Sequence, residues 1–378
     1  MTISRDLALH SPRDFGARLP LAILPGEGIG PELLRACQPV LATIESTTTL
    51  RFDISTGGAI GRAALERYGS ALTEEVTEFC RQSFAHSAPL LCGPGGHRFV
   101  YELRRVFDIY CKFVPIRPMP ALSDTGVLRE SAVNGVDVLV IRDNVGGLYQ
   151  GVWRTESTPG GERAHQSFHY DEPTVRRLVK MAAAVSKLRR KRLCVVHKPG
   201  GAPAISELWS RIATEEVAGT DIDLRFLEVD TAAYLLIAEA QDFDVVVAPN
   251  MFGDVIGDAA ALLLGSRGMS YSYNVGSGGV SVYQTAHGAA YDLAGTQRAN
   301  PLGQIQSLAT LLAESYGLDD VSSALMQACN AALLAGFRTP DISTRGCRIV
   351  STQEMGERVA DELARLLNAR PDAAVSAG

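Results

Sequence analysis

Short apolar runs alternate with longer segments of helical period through most of this chain. The runs at 21–25, 136–141, 193–197 and 243–248 have strand length, and the stretches 31–43, 172–188, 205–217 and 254–265 repeat their apolar residues at helical spacing. A strand followed each time by a helix long enough to cross back over a sheet predicts an α/β fold with largely parallel pairing. At 378 residues the chain exceeds what one simple core usually holds, so two domains are expected. The densest strand and helix signals lie in 110–264. We therefore expect a large discontinuous domain made of 1–109 and 265–378, with 110–264 inserted as a smaller one and a ligand cleft between them. Glycine-rich or polar stretches at 93–96, 156–163 and 276–279 are expected as loops, and the small, polar tail 371–378 is expected to fray.

Composition narrows the function classes. Hydrophobic residues make up 46% and charged residues 21%, and no apolar run approaches the ~18 residues needed to span a bilayer. The first twenty residues lack the apolar centre of a signal peptide, so a cytoplasmic protein without membrane partners is expected. Net charge is −6 and the longest basic block is Arg189-Arg190-Lys191-Arg192, which argues against nucleic acid as a partner. The seven cysteines form no CxxC pair and the histidines no HxxxH pair, so disulfide and zinc frameworks are not expected.

Six segments carry candidate chemistry. In LAILPGEGIGPELLRA, residues 21–36, Gly26, Gly28 and Gly30 have the spacing G-x-G-x-G, and Pro31 interrupts the G-x-G-x-x-G pattern that cradles a pyrophosphate. Two readings remain open there, a plain strand-to-helix turn and a loop lining a ligand. In PNMFGDVIGDAAALLLG, residues 249–265, Asp254 and Asp258 are four apart and project from one helix face. Together with Asp230 in VDTAAYLLI they could hold a hard divalent ion, Mg²⁺ or Mn²⁺. Arg104, Arg105, Lys112 and Arg117 fall in ELRRVFDIYCKFVPIRP, and Arg142 and Tyr149 in VLVIRDNVGGLYQG. Arginines at such strand ends and helix faces suit carboxylate capture, although Arg105 reads better as surface charge. Lys198 closes the apolar run VVHK, where it either snorkels to solvent or acts as an acid or base.

Taken in order, LPGEGIGPE, LRR, VIRDNVGGLYQG, the lysine after an apolar strand, VDTAA, PNMFGDVIGD and HGAAYDLAGTQRANP resemble the isopropylmalate and isocitrate dehydrogenase family of β-decarboxylating dehydrogenases, over about residues 20–368. The resemblance implies a two-domain α/β fold that is not a Rossmann fold, and a homodimer with shared active sites. It implies NAD as cofactor, held by His287, Gly288, Ala289, Ala290, Asp292 and Asn300, with Ile29 of the glycine turn lining the same cleft. The carboxylate of Asp292 would accept from a ribose diol and repel a 2′-phosphate. Mg²⁺ or Mn²⁺ would be held by Asp254, Asp258 and Asp230, malate carboxylates by Arg104 and Arg142, with Lys198 as base and Tyr149 as acid. By the same resemblance Lys198 and Asp230 serve the partner subunit's site, and the substrate is a 2-hydroxy acid undergoing oxidative decarboxylation.

The match breaks at informative places. A family arginine that helps hold malate is Val114 here, and Lys112, Arg117 or Arg98 would have to restore the charge. The turn that reads the substrate's third substituent carries Arg98, Val100 and Tyr101, where isopropylmalate enzymes place apolar residues such as leucine. Arg98 with Lys112 favours an anionic arm, as in isocitrate, homoisocitrate or a phosphonomethylmalate. Alternatives are 3-isopropylmalate, tartrate or D-malate as substrate, and a catalytically silent regulatory subunit.

Overall fold

A computed structural model describes residues 2–7 and 15–369; the tail 371–378 lies outside the described residues. In chain order the first twelve strands are β1 (Arg18–Leu24), β2 (Arg51–Thr56), β3 (Leu90–Cys92), β4 (Cys111–Ile116), β5 (Val138–Asp143), β6 (Val152–Thr158), β7 (Gly161–Ser167), β8 (Arg192–His197), β9 (Asp223–Glu228), β10 (Val245–Ala248), β11 (Tyr271–Val275) and β12 (Ser281–Thr285), followed by a short parallel pair, Phe337–Arg338 with Arg348–Ile349. Ten of them form one sheet in the order β2-β1-β3-β12-β11-β4-β5-β10-β8-β9.

The sheet is mixed. Six neighbouring pairs are parallel, as the strand–helix alternation predicts, but β11 runs antiparallel to both β12 and β4, and β4 runs antiparallel to β5. Every residue of β4, β5 and β10 is buried, the condition of strands covered on both faces. That is why β10 and the first four residues of β5 read as apolar runs, whereas β4, equally buried, carries Lys112. The β4–β11 pairing joins strands from residues 18–92 and 271–285 to strands from residues 111–248.

One core cluster runs from Leu21 and Val40 through Phe113, Ile141, Val247 and Trp209 to Leu308 and Leu363. A smaller one under β1 and β3 contains Leu24, Val76, Phe99 and Leu103. Phe99 and Leu103, one turn apart in the helix Phe99–Val106, drive that helix into the smaller core. Its other face is thereby turned elsewhere, and Arg98, Tyr101 and Arg104 share it at three-residue spacing.

Two local expectations change. Residues 156–163, read as a loop, belong to the antiparallel hairpin β6–β7, whose two strands are mostly exposed and therefore lack an apolar signature. The helix carrying Asp254 begins earlier than its apolar period suggests, at Asn250, so Asp254 stands in the second turn. Among the described residues no helix is long and apolar enough to cross a membrane, and all seven cysteines are free.

Candidate active site

β5 delivers Arg142 to the start of the helix Asn250–Ala260. The guanidinium is 3% exposed and donates from Nε (3.1 Å) and Nη2 (2.8 Å) to Asn250 Oδ1, while Nη1 ion-pairs with Asp254 Oδ1. Asn250 also donates from Nδ2 to the Gly146 carbonyl at 2.9 Å, tying the 143–150 loop to the helix. That loop presents Tyr149, whose hydroxyl donates to Asp254 Oδ2 at 3.0 Å. Burial and the neighbouring Asp254 carboxylate push the Tyr149 phenol up to about 12, so it keeps its proton at neutral pH and can act as a donor.

The helix Phe99–Val106 brings its cations to the same place. Arg98 donates to the Tyr149 carbonyl at 3.2 Å, and its guanidinium lies 5.1 Å from the Tyr101 ring centroid and 4.7 Å from that of Trp153 on β6. Arg104 is buried, 5.9 Å from the same Tyr101 ring. Burial, with Arg142 adding repulsion, lowers its pKa to about 9. Among the described residues no carboxylate pairs with Arg98 or Arg104. Val100, expected on this turn, is half-buried against the smaller core, and Arg105 is exposed, as its surface reading requires. Arg117 is engaged elsewhere, donating to Asp137 at 2.8 Å.

Asp254 and Asp258 lie on one helix face and each meets an arginine. Asp258 Oδ2 accepts from Arg267 Nη2 at 2.6 Å. Asp230 is in a different setting, accepting from Lys198 Nζ at 2.7 Å, and Glu228 accepts from the same ammonium at 2.6 Å. These hydrogen bonds, Asp230 first, raise the Lys198 pKa. Within one chain the described residues hold no group of three acidic, histidine or cysteine side chains fit for a metal. Asp254 and Asp258 supply two hard oxygen donors, and a third would have to come from outside that helix.

The glycine turn proves to be part of a ligand-sized cleft. Ile29 N–H donates to the Ala289 carbonyl at 2.9 Å. Gly28 has φ +56°, and a Cβ there would stand 2.0 Å from that carbonyl oxygen, so only glycine allows the approach. Beside it a cavity of about 400 Å³ is lined by Ile29, His287, Gly288, Ala290, Asp292 and Asn300 of the expected set, joined by Arg267 and Arg298. Ala289 is buried behind it. His287 Nδ1 lies 2.9 Å from the Gly288 carbonyl, to which it must donate, and burial keeps the ring neutral. Its Nε2 is thus an acceptor with no partner among the described residues, suited to a ligand hydroxyl or amine. Asn300 is committed to structure, donating to Asp341 Oδ2 and accepting from Leu302 N–H.

Asn250, Trp153, Arg267, Glu228 and Arg298 were not singled out from sequence. Asn250 sits inside the PNMFGD motif and could have been found there; the others are recruited from distant segments.

The family model described as isocitrate/isopropylmalate dehydrogenase matches residues 20–359. The chain is 34% identical over 358 residues to the 3-isopropylmalate dehydrogenase of Moorella thermoacetica, covering 91% of this chain and 98% of that protein. It is 36% identical over 360 residues to the 3-isopropylmalate dehydrogenase of Rhodopirellula baltica, covering 91% and 99%. Among solved structures, isocitrate dehydrogenase from Methylococcus capsulatus superposes with a TM-score of 0.79 at 25% identity, covering 92% of this chain and 99% of that one.

Proposed function

Because the chain belongs to the isocitrate/isopropylmalate dehydrogenase family of decarboxylating dehydrogenases, we propose that it oxidises a 3-substituted malate bearing an anionic arm, with NAD as acceptor and Mg²⁺ or Mn²⁺ as metal, releasing CO₂ and a 2-oxo acid. The carrying observation is the pair of unneutralised cations beside Tyr149: buried Arg104 and ring-stacked Arg98. A malate carboxylate would meet the charge of buried Arg104, and half-buried Arg98 is left to meet a negative group on the arm. An isopropyl group supplies none at Arg98, which sets this reading ahead of 3-isopropylmalate.

In this reading Arg104 and Arg142 hold the malate carboxylates. Asp254 and Asp258 would hold a divalent ion, whose chemistry there would be to lower the pKa of the substrate hydroxyl and to polarise the oxo product of oxidation. Tyr149, protonated at neutral pH, gives its proton to the carbon left by CO₂. Lys198 takes the hydroxyl proton as the neutral amine, so the ammonium must first give up its own proton, and Asp230 and Glu228, whose hydrogen bonds favour the charged form, must release it. Asp292 accepts from the adenine ribose and His287 Nε2 from the cofactor's donors.

Lys198 and Asp230 serve the site of a second copy, making the active unit a homodimer. Exposed Tyr234, Val255 and Leu262, on or next to the packed helices Val229–Ala238 and Asn250–Ala260, support such a face. The two flanks of the sheet, divided at β4–β11, correspond in this reading to the discontinuous and inserted domains. A full complement of Lys198, Tyr149 and three aspartates favours a working enzyme over a silent subunit, and free cysteines suit a cytoplasmic setting. The test is stoichiometric NADH and CO₂ formation with Mn²⁺ from a panel of substituted malates, D-malate and tartrate; absence of turnover on every member, or full activity in excess EDTA, contradicts the reading.

A further inference from the structure

Arg117 belongs to the segment expected to capture carboxylates, yet the sheet turns it away from Arg142. Lys112 lies opposite Arg142 in the β4–β5 register. Side chains alternate along a strand, so Phe113, Pro115 and, just past the strand end, Arg117 leave the other face. Phe113 stacks on Tyr273 of β11 with ring centroids 4.6 Å apart, which marks the same face. There lies another cavity, of about 350 Å³, a volume within the range of small-molecule sites. Pro115, Leu139, Tyr271 and Tyr273 form its floor, and the helices Leu302–Tyr316 and Asp319–Leu334 its walls. Thr2 and Ile3, which precede the segment shared with the family, close one side.

The carboxylates of this cavity are already engaged. Asp137 accepts from Arg117 Nε at 2.8 Å and from Nη2 of buried Arg189 at 2.9 Å. Asp319 accepts from Arg5 at 2.7 Å and from the Thr2 hydroxyl, and Glu314 accepts from the Ile3 N–H at 3.0 Å. The groups left open are ones that can donate. Among the described residues neither Nη nitrogen of Arg117 has a partner, nor do the hydroxyls of Tyr271 and Ser322 or the buried hydroxyl of Tyr273. Burial raises the Tyr271 pKa, with the charge of nearby Arg117 opposing, so this phenol keeps its proton at neutral pH. A guanidinium fork with both Nη groups open matches the two oxygens of a carboxylate. Beside it Pro115, Leu139, Ala313 and Met326 offer apolar surface to whatever the carboxylate is attached to.

We propose that this cavity is an accessory binding site, on the face of the sheet opposite Arg142, for a monocarboxylic acid with an apolar body, its carboxylate seated on the Arg117 fork. The site stands independently of the choice of substrate. Hexanoate is the probe, titrated calorimetrically into the full chain, with 1-hexanol and inorganic phosphate as controls that lack the carboxylate or the apolar body. The wild type should bind hexanoate and neither control. Arg117→Gln should weaken hexanoate binding about tenfold or more, whereas Arg98→Ala, on the other face, should leave it unchanged. Tyr271→Phe removes one hydroxyl, keeps the Arg117–Asp137 pair and should weaken binding severalfold; it decides the matter if Arg117→Gln, which deprives Asp137 of a partner, fails to fold. No heat from hexanoate at millimolar concentration, equal binding of phosphate or hexanol, wild-type affinity in Tyr271→Phe and in a folded Arg117→Gln, or loss of binding in Arg98→Ala overturns the proposal.

Discussion

Tyr149 donates its hydroxyl hydrogen to Asp254 Oδ2 at 3.0 Å while Arg142 ion-pairs with the other oxygen of the same carboxylate. The candidate acid and a candidate metal ligand are thus held by one another, and Asn250 fixes the arginine that completes the set. Removing only the phenolic oxygen tests the role of the acid. Tyr149→Phe should keep its melting temperature and its Mn²⁺ affinity within about threefold, yet lose between about 10² and 10⁴ in kcat, the usual contribution of a positioned acid. Steady-state kinetics alongside metal titration measures both.

Arg267 donates to the Asp258 carboxylate, for which a metal ion bound as proposed would have to compete. Replacing the arginine by leucine frees the carboxylate, so Arg267→Leu should bind Mn²⁺ more tightly than the wild type, and Asp258→Asn should abolish turnover without unfolding the chain. Titration calorimetry with Mn²⁺ reads the first and circular dichroism with an activity assay the second.

The cleft proposed for the cofactor contains a carboxylate, Asp292, and a nearby guanidinium, Arg298. One charged contact to a ribose diol corresponds to a preference of about tenfold or more. NAD should therefore be favoured over NADP by at least ~10-fold in kcat/KM, and Asp292→Lys, which leaves Arg298 beside a second cation, should narrow or invert the ratio. Equal use of both cofactors by the wild type would mean that Asp292 is not at the ribose.

Acid stability tests a joint away from the chemistry. Asp108 accepts from Arg177 at 2.6 and 2.7 Å and from Ser277 at 2.6 Å, linking the turn before β4 to the helix Glu172–Leu188 and the β11–β12 loop. Burial acts to raise its pKa, but these hydrogen bonds outweigh burial and lower it below 3.8. A depressed carboxylate stabilises the fold fully above its unfolded pKa of about 3.9 and loses that contribution as pH falls through the folded value. Asp108→Asn, which suits the left-handed φ of +44° at this position, should unfold at lower urea than the wild type at pH 7. The gap should close below about pH 4.

The buried strands were legible because both faces of β5, β8 and β10 are covered, which leaves long runs of valine, leucine and isoleucine. The hairpin β6–β7 was not, because two solvent-facing strands need no apolar face and their polar residues look like a loop. Nor was the antiparallel placement of β11, since pairing with β4 depends on contacts between residues more than 150 positions apart. Within the site, Arg142, Tyr149 and Asp254 stood out because each lies in a motif that a strand end or helix face presents as a unit. Trp153, Arg267 and Glu228 acquire meaning only when a hairpin, a turn and a strand end bring them to Arg98, Asp258 and Lys198.

In the proposed reading Arg98 carries the choice of substrate. Held by the Tyr149 carbonyl and by two aromatic rings, it is ordered in advance to meet a negative group. The most direct measurement is kcat/KM, with NAD and Mn²⁺, for isocitrate, homoisocitrate and phosphonomethylmalate against 3-isopropylmalate, in the wild type and in Arg98→Ala. At least one anionic-arm malate should be preferred by the wild type, and Arg98→Ala should lose that preference while retaining turnover of the apolar substrate. A wild type that prefers 3-isopropylmalate, or an Arg98→Ala variant that handles the anionic substrates unchanged, would contradict the account.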